Sequence, residues 1–168
     1  GMLALSIRQP YAELILRGIK TIEFRSRPTR RVGERFYIYA AKAKAKLPVW
    51  SDDVAVPGTN TGGPAVPLWM IELARQVKMI PPDVKLPTGV IVGSAVIERV
   101  EEVARCEFRV ASEDALPLAP SRRTRRGSLL ATRHSQPATL FRWHLVDVQR
   151  AKRLRKPTGH AQPVWFEP

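Results

Sequence analysis

The stretch Gly18-Ile19-Lys20-Thr21-Ile22-Glu23-Phe24-Arg25 decides how the chain is read. As a strand it places Thr21, Glu23 and Arg25 on one face and Ile22 and Phe24 on the other, because strand side chains alternate with period two. The apolar face is expected to join a core. The polar face, with Lys20 at the strand entrance, is expected to form a compact charged constellation beside a helix end. Upstream, Leu3-Ala4-Leu5-Ser6-Ile7 is a short apolar run suited to a buried strand. Gln9-Pro10 then opens a helix, with Pro10 in the first turn, where a missing N–H costs nothing. Tyr11, Leu14 and Ile15 supply its apolar positions, and Gly18 is a good stop.

Downstream, Phe36-Tyr37-Ile38-Tyr39-Ala40 is rich in strand formers. Residues 48–67 are rich in Pro, Gly, Thr and Asp and make a loop longer than compact domains usually carry, an insertion or a lid. Leu68, Ile71, Leu73, Ala74 and Val77 recur at near-helical spacing, and Pro81-Pro82 closes that segment. Gly89 to Val103 reads as a long strand or a bent pair, with Gly93 where a bulge sits. Phe141 to Val148 alternates as a strand, and Pro163-Val164-Trp165-Phe166 suits a closing one. Many short strands and two helices predict an α+β, mostly β domain. The expected architecture is a small β-barrel with a short N-terminal helix and one further helix in an insertion.

At 168 residues the chain reads as one domain over residues 2–168, large enough for a core without disulfides or metals. Gly1 ahead of Met2 reads as the remnant of an expression tag. Twenty-eight Lys and Arg stand against 15 Asp and Glu, a formal net charge of +13. Such a field concentrates polyanions, which puts nucleic acid ahead of anionic membranes or acidic proteins as a partner. Cys106 is the only cysteine, so no disulfide framework exists and a reducing, cytoplasmic setting is expected. No apolar run reaches membrane-spanning length. His134, His144, His160 and Cys106 lack zinc-ligand spacing, and there is no P-loop or G-x-G-x-x-G, so neither metal nor cofactor is expected.

Two arginine-rich segments stand out. Arg122, Arg123, Arg125, Arg126 and Arg133 lie within 121–134 without an acid, and Arg150, Lys152, Arg153, Arg155 and Lys156 follow later. Arg122, Arg123, Arg125, Arg126, Arg153 and Arg155 are the candidate phosphate-tracking surface, with affinity that falls steeply in salt. Trp50, Trp69, Trp143, Trp165, Tyr11 and Tyr39 offer planes for base stacking, although core packing is the ordinary fate of such rings.

Leu5-Ser6-Ile7-Arg8-Gln9-Pro10-Tyr11-Ala12, followed by Gly18, Lys20, Glu23 and Arg25 in a G-x-K-x-x-E-x-R pattern, resembles the ASCH domain, a relative of PUA domains. Val90-Ile91-Val92-Gly93-Ser94-Ala95 after Pro87-Thr88-Gly89, and Pro157, Gly159, Gln162 and Trp165 near the end, fit the same family. Residues 43–86 match poorly. The resemblance implies a PUA-like β-barrel whose cleft is lined by Arg8, Lys20, Thr21, Glu23 and Arg25 and binds RNA or a nucleotide-like ligand. It also implies an alternative, hydrolysis by a ribonuclease or by an amidohydrolase of a modified nucleoside, with Lys20 and Glu23 as catalytic residues. The amidohydrolase-like members resemble a Lys-x-x-Thr arrangement, and here Glu23 stands where their hydroxyl would be. A third reading, an adaptor docking an acidic protein, uses the basic surface alone. Taken without the resemblance, Glu23 paired with Arg25 or Arg8 is an ordinary solvated strand face contributing about 0–1 kcal/mol.

Overall fold

The computed structural model describes residues 1–45, 68–103 and 139–168. Six strands and two helices follow in the order β1 (Ala4–Ile7), α1 (Tyr11–Leu16), β2 (Ile22–Arg25), β3 (Arg35–Ala40), α2 (Leu68–Val77), β4 (Val90–Glu102), β5 (Phe141–Arg155) and β6 (Trp165–Phe166). The predicted loop at 48–67, Trp50, Cys106, His134 and the arginines of 121–134 lie outside the described residues. Among the described residues, no helix is long and apolar enough to cross a membrane.

The strands form one sheet in the order β2-β5-β4-β3-β1-β6. β1 pairs parallel with β3, Leu5 opposite Ile38, because α1 and β2 intervene as a crossover; every other pairing is antiparallel. The core is a cluster of Leu5, Ile7, Ala12, Ile15, Phe36, Ile38, Val92, Ile97, Trp143 and Leu145. α1 lies over it with Ala12, Leu14 and Ile15 buried, and Pro10 stands just ahead of the helix as its N-cap residue. Gly18 ends the helix as expected, adopting φ 71 in the left-handed region that only glycine enters without strain.

The barrel expectation needs correction, since no ladder joins the two ends of the sheet among the described residues. Both edges of β1 are already occupied, by β3 and β6, so β2 cannot pair with it. The sheet still curls until its ends meet through side chains. Trp143 of β5 stacks on Trp165 near the far end, with ring centroids 5.9 Å apart and planes 12° from parallel. Arg25 of β2 donates from Nη2 to the Ser6 carbonyl of β1 at 2.8 Å.

The long β4 and β5 coil because their ladder is interrupted by register shifts. Asp147, at φ 47, occupies one of these irregularities and takes an ion pair from Arg35. At another, Gly93 opposes Arg150 while Ile91 opposes Arg155, so four residues of β5 face Val92 alone. The basic run from Arg150 is therefore the end of a strand. Gly93 also lets the backbones approach: a Cβ there would collide with the Gln149 carbonyl oxygen and the Leu16 side chain. Gly93→Ala is thus expected to cost about 1–3 kcal/mol of unfolding free energy, as overpacking does. Urea denaturation measures it, and an unchanged midpoint would show that the close approach is dispensable.

Candidate functional site

The turn that caps α1 also delivers Lys20. The N–H groups of Ile19 and Lys20 both donate to the Leu14 carbonyl at 3.0 Å, folding the chain back beneath the helix. The Lys20 ammonium then sits 5.8 Å from the Tyr11 ring centroid and 5.7 Å from that of Phe24. It donates to the Ile22 carbonyl and, at 2.7 Å, to Glu23 Oε2. Arg25 Nη2 approaches Glu23 Oε1 at 3.1 Å, and its guanidinium lies 5.8 Å from the Trp143 ring. One carboxylate is thus held between two cations.

This geometry turns β2 inside out relative to the sequence expectation. The Lys20 and Glu23 side chains are only 4% and 9% exposed, whereas Ile22 and Phe24 are half-buried on the outer side. Mutual neutralisation permits the charged side to face inward. The outer apolar side is covered by α2, where Trp69 packs on Phe24 with centroids 4.8 Å apart. Thr21, expected beside Glu23, precedes the strand and is exposed. A cleft of about 300 Å³ opens between β2 and α2, lined by Lys20, Thr21, Ile22, Phe24, Trp69 and Arg142 together with Glu72, Leu73 and Gln76.

The sequence-derived residues therefore divide. Lys20 and Thr21 line the cleft, Glu23 and Arg25 stand behind it on the inner side of β2, and Arg8 is exposed and does not line it. Arg153 and Arg155 are exposed on β5, with Arg155 stacked 4.5 Å from the Tyr37 ring. Arg150 is committed elsewhere, gripping the buried Glu13 of α1 at 2.8 and 3.1 Å. Of the aromatic candidates, Trp143 and Tyr39 are core residues, Trp165 packs against the core, and Trp69 lines the cleft. Sequence reasoning passed over Arg142 and Gln76. Arg142 alternates with the apolar Phe141 and Trp143, which was a legible sign that it faces outward; Gln76 carried no such sign. Among the described residues, no three of His, Cys, Asp and Glu gather closely enough to hold a metal ion.

The electrostatics follow from burial. Loss of water pulls the Lys20 ammonium below its ordinary range; the Glu23 carboxylate opposes this, and Arg25 adds to the lowering. Burial pushes Glu23 upward, but the charges and hydrogen bonds of Lys20 and Arg25 outweigh it and hold the carboxyl below its usual 4.5. The same balance lowers Glu13, where burial is outweighed by Arg150 and Arg17. Lys20 is thus a cation that yields its proton more readily than a solvated lysine, placed on the wall of a cleft.

Glu23→Gln keeps the shape but strands Lys20 in a dry site. The expected loss is about 3–5 kcal/mol of unfolding free energy at neutral pH, the cost of breaking a buried pair; a loss below about 1 kcal/mol would contradict a desolvated triad. The pH dependence has a definite sign. A carboxyl lowered on folding contributes fully above its unfolded value, and that contribution disappears as pH falls through the folded value. Wild-type stability should therefore decline below about pH 4.5, with Glu13 acting in the same sense, and Glu23→Gln should show a shallower decline.

Comparison with solved structures returns the ASCH protein of Zymomonas mobilis, 15% identical, over 89% of this chain and 69% of that one, with a TM-score of 0.40. A tyrosine-to-phenylalanine variant of that protein is 14% identical over 92% and 75% of the two chains (TM-score 0.42). A serine-to-alanine variant is 14% identical over 99% and 87% (TM-score 0.47). Curated proteins give no match. The family model for the ASCH domain matches residues 5–154, from within β1 almost to the end of β5, and the chain belongs to the ASCH domain family.

Proposed function

We propose that this ASCH domain binds RNA or a nucleotide-like ligand in the cleft between β2 and α2, beside the first helix. The observation that carries the reading is the pairing of Phe24 and Trp69 in a cleft that also presents Lys20 and Arg142. Flat aromatic faces accept bases by stacking, and cations beside them accept phosphate. At about 300 Å³ the cleft is at the small end of ligand pockets, a fit for one nucleotide rather than a run of them. The formal charge of +13 supplies long-range attraction, and exposed Arg153 and Arg155 extend it along β5. Glu23 and Arg25 act from behind, fixing Lys20 in the wall.

A hydrolytic role, with Lys20 and Glu23 as the reacting pair, is favoured by the buried Lys20 ammonium held 2.7 Å from Glu23 Oε2, where loss of water eases release of its proton. Lysine in that state serves as a base. Incubation with RNA and with acylated cytidine, read by product formation, separates turnover from binding alone.

Anisotropy of a labelled single-stranded RNA across a salt series tests the binding reading. Phe24→Leu should weaken binding about tenfold with an unchanged salt slope, as loss of one stacked base does. Arg142→Gln should reduce the slope by about one. Wild-type behaviour in both variants would remove the cleft from consideration and leave only a basic surface.

A further inference from the structure

α2 sets Trp69, Glu72, Leu73 and Gln76 along one side of the cleft, at the three- and four-residue spacing that keeps side chains on one helical face. Two polar atoms of this face, Trp69 Nε1 and Gln76 Oε1, are buried and have no hydrogen-bond partner among the described residues. Buried polar atoms in folded proteins are nearly always paired, so two carried by residues that line one cleft call for an explanation.

The orientation of the Gln76 amide is fixed by its surroundings. Arg75 holds Glu72 through Nε–Oε2 at 2.9 Å and Nη2–Oε1 at 2.6 Å, and Gln76 Nε2 donates to Glu72 Oε1 at 3.3 Å. A flipped amide would set a carbonyl oxygen against a carboxylate oxygen, with no proton between them. Oε1 is therefore the atom left over, an acceptor. Trp69 Nε1–H, which can only donate, is the other. The residues of this wall thus bring together one unpaired donor, one unpaired acceptor and the Phe24 and Trp69 rings, packed with planes tilted by 33°.

We propose that Trp69 and Gln76 are the specificity-determining residues of the cleft, and that they read the polar edge of an unpaired nucleobase. Trp69 Nε1–H donates to a ring nitrogen or carbonyl oxygen of the base, and Gln76 Oε1 accepts from its amino or ring N–H group. A base presents neighbouring donors and acceptors on one edge of a flat ring, and that edge is free only in single strands and isolated nucleotides. A ribose phosphate offers the charge without the ring, and a plain hydrocarbon ring would leave both protein atoms unpaired. The inference rests on the nucleotide-like reading above and adds the atoms that recognise the ligand.

Calorimetric titration of the full chain with the four ribonucleoside 5′-monophosphates, ribose 5-phosphate and one single-stranded RNA tests this. At least one monophosphate should bind the wild type, with ribose 5-phosphate at least tenfold weaker. Trp69→Phe and Gln76→Met should each weaken that nucleotide about tenfold, as loss of a buried hydrogen bond does. Both variants should stay folded: each removes one buried atom that is unpaired in the free protein, and besides it Gln76→Met gives up only the exposed Nε2–Glu72 contact and Trp69→Phe keeps an aromatic ring beside Phe24. Equal nucleotide affinity in the wild type and both folded variants would overturn the assignment while leaving the cleft as the ligand site. Binding of RNA without any monophosphate, or of ribose 5-phosphate as tightly as the nucleotide, would overturn it in favour of phosphate attraction. A wild type that binds neither RNA nor nucleotide would sink this inference and the reading beneath it together. Should Trp69→Phe fail to fold, Gln76→Met decides alone.

Discussion

Glu23 lies out of water between Lys20 and Arg25, and much of the molecule is organised around keeping that carboxylate neutralised. A lone buried carboxylate would be prohibitively costly, so both cations must stay in place. Arg25 reaches its position only if β2 lies close to β1, where the same guanidinium nitrogen also bonds the Ser6 carbonyl. Lys20 reaches its position only if the turn after α1 folds tightly, which the left-handed Gly18 permits. The triad therefore couples the helix end, the meeting of the two sheet ends and the cleft wall. The cleft wall on one side of β2 inherits its rigidity from ion pairs on the other.

Much of the fold was legible because its determinants are local. Gly18 stops a helix for a backbone reason, Gly93 marks a bulge because no side chain fits, and Phe36 to Ala40 are strand formers in sequence. The orientation of β2 was not local. Alternation tells which residues share a face, but which face turns inward depends on neighbours distant in sequence. Trp143 and Ser6 received Arg25, and α2 covered Phe24, so the apparent hydrophobic side became the half-open one. The closed barrel failed for a similar reason, since the competition of β3 and β6 for the edges of β1 is a property of the assembled sheet.

The site was legible in part. The Gly18–Arg25 pattern drew attention to β2 and to Lys20, which lines the candidate cleft, but placed Glu23 and Arg25 beside it rather than behind. Trp69 was one of several aromatic candidates, separable from Trp143 only by burial. Arg142 and Gln76 join the cleft because β5 pairs with β2 and α2 packs across it, juxtapositions of residues far apart in the chain.

The coiled end of β5 bears on a different problem. β2 pairs only with Phe141–His144, so beyond that point one side of β5 has no laddered neighbour among the described residues. A long, regular strand with open N–H and C=O groups invites another chain to add to it. Here the register slips at Val92, and Lys152, Arg153 and Arg155 stand exposed around it. The irregular backbone offers no continuous template, and like charges on two approaching copies repel. Charge and irregular backbone at this edge thus work in the same direction, against pairing of one copy's strand with another's.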